Sequence, residues 1–241
     1  MEKGLNFAEI PQTAIKVLMS PAQFFKDMPK TGGFIAPLVF MVAMGVVAGL
    51  LQSIFSIMKL HVAAGMAGGA ASIIIIPIMI AIFGFVGAGI LYGIWKLMGS
   101  QESYEVAYRC GAYISVLTPI MTILQLIPYL GGVAGIALMT LYLVIASTEV
   151  HGLPSRKAWL VFGIIGAVFA FLSLNAEIAS RKIVKNVSKF QKQTEEAVEQ
   201  MQKSAEEMVK QMEKAAEEMQ KSTEKMNEEI QKGIEESGQL E

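Results

Sequence analysis

Two histidines and one cysteine are the only imidazole and thiol groups in 241 residues, and they bound the chemistry open to this chain. His61 and His151 lie far apart, and no His-Glu-x-x-His or paired-cysteine spacing exists, so a metal site lacks ligands at usable separation. Cys110 excludes an intramolecular disulfide and reads as a small apolar filler. There is no Gly-x-Ser-x-Gly, no phosphate-binding loop and no Gly-x-Gly-x-x-Gly, so nucleophilic and nucleotide chemistry find no support. What remains is the polar cluster Glu149, His151, Arg156 and Lys157. A general base could reside there if Glu149 and His151 came within hydrogen-bond reach and faced a pocket. The reading with more weight is an interfacial loop, in which Gly152 and Pro154 make the turn and the charges sit among lipid headgroups. No catalytic residue, cofactor or metal is expected, and at a net charge of -1 no nucleic-acid partner is expected either.

The elements around that cluster are those of a membrane protein. The chain is 53% hydrophobic and 17% charged, against about 25% charged residues in a typical soluble domain. Its charges are unevenly spread: Lys59 stands alone between Phe34 and Trp95, and none occurs from Gly111 to Thr148. A helix needs about 20 mainly apolar residues to cross a hydrocarbon core about 30 Å thick. Five segments come close, from Phe34 to Ile57, Ser72 to Trp95, Gly111 to Pro128, Gly131 to Ser147 and Ala158 to Asn175. The third and fourth are short and meet at Pro128-Tyr129-Leu130-Gly131, so they form either a tight hairpin or a re-entrant element. The expected fold is all-α: a polytopic transmembrane helix bundle of about five spans over residues 34–176, an N-terminal interfacial helical segment over 1–33, and a long charged amphipathic helical tail over 177–241. The first 33 residues carry charges and prolines rather than an apolar stretch with a cleavage site, so the first span is expected to double as the targeting signal.

Within the leading segment, Phe7, Ile10, Ala14, Val17 and Leu18 recur at helical spacing. Ser20-Pro21-Ala22-Gln23 then has the pattern of a capping box, with Phe24, Phe25 and Met28 on an apolar side and Lys26 and Asp27 on a polar one. Such a segment suits the membrane interface, lying flat beneath the bundle. Inside the spans, Gly45 and Gly49, Gly89 and Gly93, and Gly131 and Gly135 each put two glycines on one helix face, where backbones of the same chain can approach closely. Pro77 and Pro119 are expected to kink or break their helices, because proline lacks the amide donor and clashes with the preceding turn.

The tail repeats every 11 residues. Phe190, Met201, Met212, Thr223 and Ile234 open the units, lysine holds the third position at 192, 203, 214 and 225, and acidic pairs follow in register. Ala197, Met208, Met219 and Ile230 supply a second apolar row at the eighth position. Eleven residues in three turns stay close to the natural helix, so the stripe runs nearly straight or drifts into a gentle right-handed supercoil. Met201, Met208, Met212, Met219 and Ile230 form a stripe suited to adaptable contact with a partner helix, a lipid surface or a second copy, and Glu206 with Lys210 and Glu217 with Lys221 are spaced to support the helix.

The order of elements resembles the Yip (Ypt-interacting protein) domain family in its prokaryotic branch, over about residues 12 to 175. The resemblance rests on Ser20-Pro21-x-x-Phe24-Phe25, on Ser103-Tyr104-Glu105-x-Ala107-Tyr108-Arg109 leading to Tyr113 and Pro119, and on Glu149-Val150-His151-Gly152 before the last span. It implies a five-span fold with a cytoplasmic N-terminus and no settled biochemical activity. The Asp-Leu-Tyr-Gly-Pro and Gly-Tyr-Ser-x-x-Pro signatures of the eukaryotic branch are not present in full, since Tyr113, Ser115 and Pro119 stand at wider spacing. That departure weighs against carrying over Rab-type GTPase binding.

Two functional readings follow. The first is a non-enzymatic scaffold or adaptor in a prokaryotic cytoplasmic membrane, with the bundle as anchor and the tail as arm for a protein partner or self-association. The alternative is a channel or transporter subunit, which requires Gln52, Ser53, Thr118 and Gln125 to converge on a hydrated cavity, since the span interiors hold no ionisable residue. With five spans the termini lie on opposite faces. The lysine and arginine balance favours a cytoplasmic N-terminus with the tail outside, although Arg181, Lys182, Lys185 and Lys189 pull the other way.

Overall fold

The computed structural model describes residues 8–58 and 72–238, so expectations placed on Lys3, Phe7, Lys59 and His61 lie outside the described residues. Among the described residues there are eight helices and no strand: α1 Glu9–Met19, α2 Pro21–Asp27, α3 Ile35–Ile57, α4 Ser72–Leu97, α5 Tyr104–Ile114, α6 Leu117–Leu124, α7 Leu130–Glu149 and α8 Ser155–Gly238. Four of them, α3, α4, α7 and α8, are long and apolar enough to cross a membrane, and the α5–α6 pair makes up to five. The chain divides into two units, residues 1–182 and 183–241.

The third span departs from its expected bounds. In its place stands a pair of helices bent by 42°, either a broken span or a re-entrant element, which starts at Tyr104 rather than Gly111 and takes in Glu105 and Arg109. Ser103 caps it, its hydroxyl accepting from the Val106 amide. The break at Ser115 and Val116 follows from Pro119, whose ring in an unbroken helix would meet the Ser115 carbonyl. In the first turn of α6 the missing amide costs nothing. Pro77, by contrast, lies inside α4, which runs on as one helix.

The bent pair is tied to its neighbours at both ends. Just before α5, Glu102 pairs with Lys30 at 2.6 Å, and Lys30 also donates to the Val150 carbonyl at the end of α7. At the other end, α6 abuts the start of α7, where a Cβ on Gly131 would collide with the Leu124 backbone. The 20 residues of α7 span about 30 Å. A second latch at that far end ties the α6–α7 turn to α8. The Tyr129 amide, at φ 63°, donates to Glu177 at 2.9 Å, Glu177 pairs with Arg181, and the Arg181 guanidinium lies 4.9 Å from the Tyr129 ring centre.

The leading segment packs one side against the bundle and leaves the other exposed, with Val17 the buried residue of α1 and Phe25 that of α2. Val17, Phe25 and Met28 are buried together with Trp95, Cys110, Ile114, Leu117 and Phe162, and the Tyr142 hydroxyl donates to the Val17 carbonyl at 3.2 Å. The expected capping box does not form. Ser20 also ends α1, its amide bonding the Lys16 carbonyl, its side chain makes no cap, and Gln23 donates to Asp27 instead. Pro21 does open α2.

Close approach falls on only some of the glycines singled out. A Cβ on Gly45 would sit 3.1 Å from Pro77 Cα, Gly49 is buried on the same helix, and Gly135 would meet Met121 at 3.3 Å. Gly89 and Gly93 do not act this way. Gly89 is exposed with Tyr104 Cε2 no nearer than 4.0 Å to such a Cβ, and Gly93 has nothing within 4 Å. On α4 the tight position is Gly84, over the Met41 thioether, and on α8 it is Gly166, over Thr140.

In the second unit, Met201, Met208, Met212, Met219 and Ile230 are all exposed along one helix. Among the described residues there, Lys203 pairs with Glu199 at 2.8 Å, in the favoured order, whereas neither Glu206–Lys210 nor Glu217–Lys221 closes.

Candidate functional site

Two glycine turns at one end of the bundle assemble its polar centre. Gly99, at φ 100°, ends α4 with a paired return of the chain: Gly99 N–H bonds the Lys96 carbonyl and Ser100 N–H the Trp95 carbonyl. Gly152, at φ 64°, turns the chain after α7, with the Leu153 amide bonding the Ser147 carbonyl. Together they set Ser100 against His151, Oγ to Nδ1 at 2.7 Å. The imidazole stacks on Trp95 with centroids 4.0 Å apart. Trp95 Nε1 donates to the Ser147 hydroxyl at 2.8 Å, which donates to the Leu143 carbonyl, and Ser100 Oγ accepts from the Glu102 amide.

The ends of this network are charged. Lys157 donates to the Met98 carbonyl at 2.7 Å and so ties the start of α8 to the end of α4. Arg109, buried on α5, pairs with Glu105 at 3.2 Å and donates to the Gly33 carbonyl at 2.9 Å, while Glu105 accepts from the Gly33 amide. The carboxylate and guanidinium thereby satisfy both backbone groups of Gly33, just before α3, and lock that entry to α5.

His151 is the unusual member. It is 8% exposed, and its Nε2 has no partner. Burial pushes the imidazole down to about 4, with the Glu102 carboxylate opposing and Lys30 and Lys96 reinforcing the shift. At neutral pH it is an uncharged ring. A serine hydroxyl on an imidazole nitrogen is the start of a nucleophile relay, yet Ser100 is itself buried. Glu149, which a general base at this loop would need beside His151, is exposed and accepts from the neighbouring Thr148 hydroxyl. The geometry is a packed polar lock between the ends of α4 and α7, with Lys157 tying in the start of α8 and a separate Arg109–Glu105 clasp holding Gly33 to α5.

Of the residues singled out by sequence order, Phe24, Phe25 and Tyr113 come together, with Phe24 in edge contact with both rings at 5.6 and 4.9 Å. His151 and Gly152 belong to the lock, Pro119 sets the α5–α6 break, and Ser20 and Glu149 make no contact with it. Trp95, Ser100, Ser147, Lys30 and Glu102 went unrecognised, and Arg109 entered only as the end of the Ser103–Arg109 motif. The available signal was Gly99 four residues beyond Trp95, a helix stop followed at once by Ser100.

The family model described as the Yip1 domain matches residues 15–175. No curated protein and no solved structure matches the chain.

Proposed function

Since the chain belongs to the Yip1 domain family, a family of membrane proteins, we propose that it is a non-enzymatic membrane adaptor, with the bundle as anchor and the tail part of α8 as interaction arm. One observation carries this reading. A helix with an 11-residue repeat leaves its apolar stripe exposed, from Phe190 through Met201, Met208, Met212 and Met219 to Ile230, on a chain whose other unit is multi-pass in character. A stripe repeated with that regularity is a surface for contact. The sealed lock around His151 supports the non-enzymatic part, because neither Ser100 Oγ nor the imidazole opens to a substrate. No Rab-type GTPase is part of the reading.

We further propose a prokaryotic cytoplasmic membrane with the N-terminus inside. Five crossings then carry the tail out on the opposite face, beginning at Arg181. Crosslinking in native membranes, followed by mass spectrometry, compares the full chain with one truncated after Lys189. The adaptor reading expects adducts that vanish with the tail; identical adduct sets from both chains would remove it.

A further inference from the structure

Resting on the tail as an interaction arm, we infer that its partner is a second copy of the same tail, pairing in parallel and in register over about residues 190–230. Each unit of the repeat puts its first, fourth, fifth and eighth positions in one sector, because 11 residues make three turns. In the second unit these are Met201, Ser204, Ala205 and Met208, and the third unit repeats the scheme with alanine in place of serine. In these two units methionine at the first and eighth positions alternates with serine or alanine between, whereas the first unit has Gln193 at the fourth position and Ala197 at the eighth, and the fourth unit has Thr223 at the first and Met226 at the fourth. Two such helices in register come close at the alanine layers and fill the seam with methionine at the others, in a nearly straight or slightly right-handed pair.

Charge placement favours this occupant over the rest. From Phe190 on, seven lysines stand against fourteen glutamates, so an anionic lipid surface repels the helix. Yet the two rows that border the stripe, the ninth and eleventh positions, are uncharged through the first three units: Val198, Val209 and Gln220 on one side, Gln200, Gln211 and Ser222 on the other. A solvated single helix has no reason to keep charge out of those rows. A seam between two identical acidic helices does, since glutamates facing each other there would drive the copies apart. The charged rows at the third, sixth and seventh positions lie on the outer half, where Lys203 meets Glu199 within one helix. Each tail is covalently attached to an anchor of the same kind, so two copies in one membrane meet at raised local concentration.

The test uses full-length protein in native membranes, where the sole natural cysteine, Cys110, is buried. Met208→Cys lies on the seam and Lys203→Cys on the outer half. A short bis-maleimide should give an adduct of twice the chain mass with Met208→Cys and little with Lys203→Cys. Adding Met212→Glu to the Met208→Cys chain, which sets carboxylates across the seam, should abolish that adduct. Equal adducts from both cysteines, no adduct from either, or an adduct that survives Met212→Glu would each overturn the pairing. An adduct between Met208→Cys and a different protein would also overturn it, yet leave the adaptor reading standing. That reading falls separately, if truncation after Lys189 changes no adduct at all.

Discussion

The bundle and the tail expose large apolar side chains to the same degree and for different reasons. Ile74 on α4 is 66% exposed and Met212 in the tail 68%. Around Ile74 lies a helix whose outward surface is apolar throughout, with Ile78, Ile82, Phe83, Val86 and Ile90 also exposed and no charge before Lys96. That surface matches hydrocarbon as it stands. Met212 lies on a helix with Lys214, Glu217 and Glu218 around the remainder of its circumference, so only a stripe is apolar, and a stripe is answered by another stripe. Exposure alone therefore says little; how the exposed residues are arranged around the helix tells lipid-facing surface from partner-facing surface.

If the contrast is right, damage to the bundle interior should be large and damage to the tail invisible to the bundle. The largest effect belongs to Gly131→Val. Its Cβ would overlap the Leu124 backbone, which cannot step aside, and the loss should reach about 3 kcal/mol or more. A thermal midpoint in detergent close to that of the unsubstituted protein would refute the close α6–α7 contact.

Next comes pH. His151 is held near 4 in the fold, below its ordinary 6.5. The unfolded chain therefore binds the proton first, and the stability this group contributes is complete above pH 6.5 and drains away as pH falls toward 4. The change is at most about 3 kcal/mol over that window. A His151→Gln chain should lose the slope between those values; an unaltered slope would place the titration elsewhere.

Third is Glu105→Ala, which leaves the buried Arg109 without its carboxylate and the Gly33 amide without an acceptor. A loss of about 2 kcal/mol is expected. Glu105→Gln, which keeps the acceptor for Gly33, should recover part of it.

The smallest effects are expected at Gly89→Leu and Met208→Ala. The first adds a side chain where the nearest atom is 4.0 Å from the new Cβ, the second removes one from the exposed stripe, and each should move the bundle by less than about 0.5 kcal/mol. Met208→Ala and Gly131→Val thus form the widest pair. If they destabilise the bundle alike, the two regions are not independent.

Much of the fold was legible before any coordinate. The starts and ends of α3, α4 and α7 follow from apolar length alone, because lipid imposes one demand on every residue of a span and charge is expelled to its edges. The 11-residue register of the tail was equally plain, since a repeat carries its own evidence. The start of α5 was not. Arg109 and Glu105 read as the end of a loop, and only their mutual pairing over Gly33 lets the helix carry them inward. Gly89 and Gly93 show the complementary failure. Their spacing is that of a packing motif, but which face of α4 turns inward is set by α3 and α5, and those neighbours chose Gly84.

The chain by itself determined its class, its helices and its repeat, because solvent preference and helical period act residue by residue along the sequence. Only the tertiary structure decided that Ser100 meets His151 across 51 positions, that Trp95 lies beneath the imidazole, and that Val17, Phe25 and Met28 of the leading segment join the core. Those contacts depend on which ends of which helices are brought together. Hydropathy, being the same for every arrangement of the same spans, cannot distinguish among them.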